Sequence, residues 1–221
     1  MSAATTDYLA AIEHMPAGAV LRVDNVPWEE YEQLLTDLGD GYAVRIFYDR
    51  GRMEIMAPSS AHERPTSVIS RLVVVLSDEL DIDIEPFRST TLRAEMKAKG
   101  AEPDESFYIQ NAALVIGKID LDLEHDPPPD LVIEIDRTSA SLNKFTIYAG
   151  LGVPEIWRVA KGKVHIFVLA GDSYEERSTS GAFSFLPARI ISDFLTRGLA
   201  EGQRKAAIAF REWVQEHKTD S

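Results

Sequence analysis

The sequence predicts a mixed α/β (α+β) domain: a mixed β-sheet core flanked by helices, with an N-terminal helix and a β-hairpin ahead of it. Three observations lead there. Apolar residues recur at helical spacing in two early segments. A largely β-branched run, Leu131, Val132, Ile133 and Ile135, contains no Pro or Gly, so it reads as a buried strand. The segments then alternate as helix, hairpin, helix, strands, helix, strands, the pattern of a sheet with helices on its faces. With 221 residues and 45% apolar content, the chain can bury a sizeable core as one domain.

Residues 1–24 show little periodicity and read as a loose start followed by an extended piece at 20–23. Pro27 then opens a helix, with Trp28, Tyr31, Leu34, Leu35 and Leu38 on its apolar stripe and Gly39 near its stop. Residues 44–48 and 53–56 flank the polar turn Asp49-Arg50-Gly51-Arg52, which predicts a hairpin with Glu54 inside its second strand. Pro58-Ser59-Ser60-Ala61-His62-Glu63 leads into a helix of about 15–20 residues carrying Ile69, Leu72, Leu76 and Leu80 on one face. Residues 82–92 read as mostly extended. Lys97, Lys99 and Gly100 then approach Glu102-Pro103-Asp104-Glu105, a turn entering a short strand at Phe107-Tyr108-Ile109.

Residues 110–129 form a connection, extended over 114–119 and then acidic and proline-rich. It delivers the chain to the buried strand. After that strand Ser139 or Ser141 can cap a helix running to about Ala149, stopped by Gly150 and Gly152. Residues 155–159 and 164–169 make a strand pair around Lys161-Gly162-Lys163. Residues 174–185 read as a third hairpin region, 194–198 as a short helix, and 203–217 as a C-terminal helix with Ile208, Trp213 and Val214 as contacts. The expected organisation is an N-terminal extension over 1–26, the main domain over 27–200, and a C-terminal helix over 201–221 packed on the domain or at an oligomer interface.

The formal charge is −13, from 36 acids against 23 Lys and Arg. Phosphate neutralisation supplies most non-specific affinity for nucleic acid, so this balance argues against tight non-specific binding while leaving room for a local basic groove. The absence of cysteine removes disulfides, thiolate metal sites and cysteine nucleophiles. There is no 18-residue apolar span, and residues 1–8 lack a basic segment followed by an apolar stretch, which predicts a soluble, cytoplasmic protein with no membrane partner. Phosphate-binding Gly-rich loops, His-Glu-x-x-His and the Gly-x-Ser-x-Gly elbow are all missing.

Acids at the ends of predicted core strands are the remaining signal. Glu134 and Asp136 lie two apart, so they project from one face, and an ionised carboxylate in a buried strand is costly unless a cation or donors meet it. Asp104 stands at another strand end, and Lys144 lies one turn into the following helix. Hard divalent cations such as Mg²⁺ take one or two carboxylates plus water and substrate phosphate, while a nearby ammonium stabilises a developing anion. That set suits phosphodiester hydrolysis; buried ion pairs or solvated strand ends are the alternative. Asp136 can instead cap the next turn, Lys144 can be a helix-surface lysine, and Tyr148 can be packing. His62 can orient a ligand or phosphate or simply be solvated, and Glu54 and Glu63 can add a further carboxylate. Trp28 and Trp157 read as core.

Pro103-Asp104, the run Asp130-Leu131-Val132-Ile133-Glu134-Ile135-Asp136, Lys144 with Tyr148, and Gly152-Val153-Pro154-Glu155-Ile156-Trp157 together resemble the Uma-two family of the PD-(D/E)XK nuclease superfamily. The similarity extends upstream through residues 51–58 and His62-Glu63-Arg64. It implies a restriction-endonuclease-like fold and a metal-dependent DNA endonuclease. Asp104 resembles the aspartate of the Pro-Asp pair and Glu134 the second acid, the two holding Mg²⁺ or Mn²⁺. The superfamily lysine normally stands where this chain has Asp136; Lys144 matches a lysine on the next helix that takes over as charge stabiliser. DNA is the implied substrate, and because duplex cutting often uses two sites a homodimer would suit it, which no sequence pattern demonstrates. The rival reading is a non-catalytic interaction or nucleic-acid-binding protein that kept the fold.

Overall fold

A computed structural model describes residues 3–39, 44–136 and 143–218, with the backbone alone for residues 3–6 and 60–62. The N-terminal part runs α1 (Ala3–Glu13), β1 (Val20–Asp24), α2 (Trp28–Leu38), β2 (Arg45–Asp49), β3 (Arg52–Met56) and α3 (Ser60–Leu80). Next come β4 (Glu85–Pro86), β5 (Leu92–Ala94), a 3₁₀ turn at Glu95–Lys97, β6 (Lys99–Ala101), β7 (Glu105–Tyr108) and α4 (Ala112–Val115). The chain continues through β8 (Leu131–Asp136), α5 (Lys144–Leu151), β9 (Glu155–Ala160), β10 (Lys163–Ala170), β11 (Ser173–Arg177), α6 (Ala188–Glu201) and α7 (Gln203–His217).

The expected mixed sheet is present, in the order β11-β10-β9-β8-β7-β4, with β8 and β9 parallel and the other pairs antiparallel. The hairpin of β2 and β3 is not an appendage to it. It forms the centre of a second, antiparallel five-stranded sheet ordered β1-β3-β2-β6-β5. Side chains alternate across a strand, and that alternation sorts the core into layers. Leu131, Ile133 and Ile135 pack with Trp157 and Val159 against α3, α6 and α7. Val132 and Ile156 point the other way, onto Ile147, Tyr148 and Leu151 of α5 and onto Phe47, Leu92 and Ala101 of the five-stranded sheet. That sheet's outer residues, Ile46, Tyr48, Met53 and Ile55, meet α1 and α2. Glu134 and Phe47 therefore belong to one layer, between the two sheets.

Several expected elements differ. Residues 3–13 are helical where a loose start was expected; the segment carries no marked apolar stripe, and it is held by Tyr8, whose hydroxyl donates to Glu30 at 2.6 Å, and by Leu9 and Ile12 packing towards α2. Residues 114–119 are not extended: one turn of α4 is followed by a loop in which Ile119 is 90% exposed. Of residues 82–92 only short stretches pair, and 174–185 contributes one strand, β11, which closes a hairpin with β10 instead of making its own. The helix expected at 194–198 extends over Ala188–Glu201. Gly150 lies inside α5, and Gly152, at φ 90°, ends it. Ser139 and Ser141 fall outside the described residues; Asn143 caps α5, its Oδ1 accepting from the Phe145 N–H at 3.2 Å. No helix of the described residues is long and apolar enough to cross a membrane.

Gly100 is required by a close approach. A Cβ there would lie 2.1 Å from the Tyr31 hydroxyl oxygen, and the Tyr31 ring is held by stacking on Tyr48 at 4.7 Å. Neither partner has room to yield, so Gly100→Ala is expected to lower unfolding free energy by ~1–3 kcal/mol, the usual cost of overpacking. Urea denaturation of the purified variant checks it.

Candidate active site

β8 reaches the sheet interior as an apolar strand interrupted by Glu134, which is 4% exposed and turned towards α5. Two donors from that helix meet it. The Lys144 ammonium donates to Oε2 at 2.7 Å, and the Tyr148 hydroxyl makes a short hydrogen bond to Oε1. The spacing of 144 and 148 explains the convergence, since residues four apart share a helix face. Lys144 itself is only 16% exposed and sits 3.9 Å from the centroid of the Phe47 ring, so it is no free surface lysine.

Asp104 closes the other side. It ends the turn before β7, which pairs antiparallel with β8, and its Oδ2 accepts the Ile135 N–H at 2.7 Å. One backbone bond thus ties the first acid to the strand of the second. The loop before it is pinned too: Glu102 accepts from the Ile46 N–H at 2.8 Å and from Thr91 Oγ1 at 2.7 Å.

Both acids are held towards their neutral forms. Burial raises the Glu134 carboxyl, and the nearby charge of Asp104 adds to it, against the opposing pull of Lys144 and Tyr148. Burial likewise raises Asp104, opposed by the Ile135 N–H, Lys144 and Arg45. The Tyr148 hydroxyl is pushed well up by burial and by Glu134, so it stays protonated as a donor. A folded-state carboxyl raised above its unfolded value contributes stability at pH below the unfolded value and loses it as pH climbs through the raised one. In EDTA, the unfolding free energy is therefore expected to fall with pH above the ordinary Asp value of 3.8, and the slope to be shallower in Asp104→Asn. Urea titrations across the mildly acidic to neutral range measure that slope.

The other predicted residues divide. Asp136 is turned to Arg158, whose Nε donates at 3.0 Å. Glu54 lies on the face of β3 turned towards the site, since it is opposite Phe47, and Arg22 donates to it at 3.4 Å. Glu63, at the first turn of α3, is 61% exposed and stands 3.7 Å from Arg45. The side chain of His62 lies outside the described residues. Trp28 and Trp157 are packed among core rings and aliphatics. Sequence reasoning passed over Arg45, Phe47 and Glu102. The period of two in Arg45-Ile46-Phe47 was the available signal, because it places Arg45 and Phe47 on one face of β2.

Among the described residues no group of three or more His, Cys, Asp or Glu side chains gathers as a metal cluster. The chemistry of the acid pair nevertheless fits a hard divalent ion. Burial raises both carboxyls, with the Asp104 charge adding at Glu134 and the Glu63 charge at Asp104, and a bound cation would favour their ionised forms. Each carboxylate has about four lone-pair positions, of which the hydrogen bonds above use two on Glu134 and one on Asp104. Mg²⁺ commonly takes one or two carboxylates and completes its shell with water and phosphate. A cleft of about 310 Å³ opens at the ends of β8 and β9, lined by Ile135, Val159, Leu195 and Leu199 together with the polar Asp136 and Lys161.

Against known proteins, a family model described as "Uma2: Putative restriction endonuclease" matches residues 28–200. A crystal structure of a putative nuclease belonging to DUF820 from Anabaena variabilis is similar at 16% sequence identity, covering 73% of this chain and 90% of that one, with a TM-score of 0.46. No curated protein matches.

Proposed function

Since the chain belongs to the Uma2 family of putative restriction endonucleases, we propose that it is a Mg²⁺- or Mn²⁺-dependent endonuclease hydrolysing phosphodiester bonds in DNA, with Asp104 and Glu134 as metal ligands and Lys144 as charge stabiliser. The observation that supports this most is the return of Lys144 from α5 to Glu134 at 2.7 Å. A lysine absent from its usual place two residues after the acid, where Asp136 stands, reaches the same carboxylate from the next helix.

A divalent ion at this pair supplies a water of lowered pKa and a positive anchor for the scissile phosphate. The chain's own residues do the rest. The Ile135 N–H fixes the orientation of Asp104, and Tyr148 and Lys144 fix Glu134, so neither carboxylate reorganises during reaction. Lys144, backed by Phe47, carries positive charge to where the attacking oxygen and phosphate gather negative charge. The water gives up one proton to solvent as its oxygen bonds to phosphorus, the ester oxygen leaves with the bonding pair, and that oxygen takes a proton from solvent.

Calorimetric titration with Mn²⁺ tests the ligand assignment. Wild type is expected to bind, and Asp104→Asn and Glu134→Gln to bind at least ~10-fold more weakly; equal affinity in both variants contradicts it. The non-catalytic reading draws on one observation, that both Glu134 oxygens are already engaged, and it predicts no Mn²⁺ binding in wild type either. Within the proposal, residues 27–200 form the nuclease domain, and a homodimer in the cytoplasm would bring two such sites to a duplex.

A further inference from the structure

We propose that Arg45 is a catalytic residue of the same site, its guanidinium binding a non-bridging oxygen of the scissile phosphate beside Asp104 and Glu134. The inference rests on the phosphodiester-hydrolysis reading of that site and extends its machinery to the second sheet.

Arg45 opens β2 on the same face as Phe47, the ring beneath the Lys144 ammonium. Phe47 lies across from Ala101 in the antiparallel register, and the same register carried two residues on sets Arg45 by Pro103, next to Asp104. The Ile46 N–H, bonded to Glu102, locks β2 to that loop. The guanidinium is thus carried by backbone geometry to the Pro103-Asp104 turn.

The charges of Glu63 and Glu102 offset that of this arginine, but its hydrogen bonding is incomplete. Its side chain is 14% exposed, and its Nε is buried with no hydrogen-bond partner among the described residues. The acid that the structure pairs with it, Glu63, stands at 3.7 Å, beyond a good hydrogen bond. A guanidinium cannot shed its charge, so a buried one with an unpaired donor is costly unless an acceptor arrives. A phosphate presents oxygens in the geometry of its planar fork. The site also needs this cation. Lys144 is already hydrogen-bonded to Glu134, which leaves phosphate oxygens remote from it without a side-chain cation unless Arg45 supplies one. No bond to Arg45 is made or broken; it holds charge on the phosphate oxygens as the water attacks.

The experiment compares wild type, Arg45→Ala and Arg45→Lys in single-turnover nicking of supercoiled plasmid with Mg²⁺, and in anisotropy of a fluorescent duplex with Ca²⁺ across salt concentrations. Arg45→Ala is expected to nick ~10²-fold more slowly. Its salt slope for duplex binding should fall by about one, with Mn²⁺ affinity and urea midpoint close to wild type. Added guanidinium should restore part of its rate. Arg45→Lys, which keeps the stem and charge but not the fork, should recover a small part and is not helped by guanidinium; it carries the test if the alanine variant does not fold. Wild-type nicking in both variants, or an unchanged salt slope, overturns the role of Arg45 and leaves the endonuclease reading standing. A wild type that binds duplex through Arg45 but does not nick with either Mg²⁺ or Mn²⁺ overturns the endonuclease reading and keeps the phosphate contact. A wild type that neither binds nor nicks overturns both.

Discussion

Glu134→Gln is expected to nick DNA at least ~10²-fold more slowly than wild type while keeping its fold. The amide has the volume of the carboxylate and can still accept from Lys144 or Tyr148, so the packing between α5 and β8 survives. What it loses is the negative charge, and with it the anchoring of a divalent ion and the balance for the Lys144 ammonium. Circular dichroism should match wild type, and the loss should reside in the turnover step and not in DNA binding. A rate within threefold of wild type would mean that Glu134 is a structural acid.

Lys144→Met is expected to cost about 3–5 kcal/mol of stability as well as activity, because removing one partner of a buried ion pair leaves the other uncompensated. Glu134 is 5% exposed by side chain, and Lys144 is its cationic partner in the structure. Adding Glu134→Gln to Lys144→Met should return much of the lost stability, since the orphaned charge is gone, and none of the activity. The two substitutions are then strongly non-additive in urea denaturation, as contacting residues are. A Lys144→Met variant within about 0.5 kcal/mol of wild type would mark Lys144 as an ordinary surface residue.

The sequence carried the central strand and its neighbours well because their signals are local. The β-branched run 131–135, the helical stripes of α2 and α3, and the strand pair of β9 and β10 each announce themselves within about 10–20 residues. The family resemblance rested on motifs in these same segments, and the family match over residues 28–200 agrees with it. What was not legible depends on partners distant in the chain. Residues 3–13 become a helix chiefly by packing on α2, and no stripe in Ala3–Glu13 declares that. The second sheet was read as a lone hairpin because β5 and β6 are three residues each and are recruited to it by pairing with β2.

The candidate site shows the same division. Asp104 and Glu134 stood out because acids at the ends of apolar strands are anomalous, and Lys144 because the resemblance pointed to it. Arg45 did not, since an arginine at a strand end is ordinary until the fold buries it with its Nε unbonded among the described residues. Asp136 illustrates the converse: it shares a strand face with Glu134, yet Arg158 on the neighbouring strand takes it up.

The most direct measurement is nicking of supercoiled plasmid by the purified full chain, with Mg²⁺ or with EDTA, beside Asp104→Asn and Glu134→Gln prepared in the same way. Open-circular product that requires the metal and vanishes in both variants is expected. Product that persists in EDTA, or variants that cut as fast as wild type, would contradict a metal site at Asp104 and Glu134.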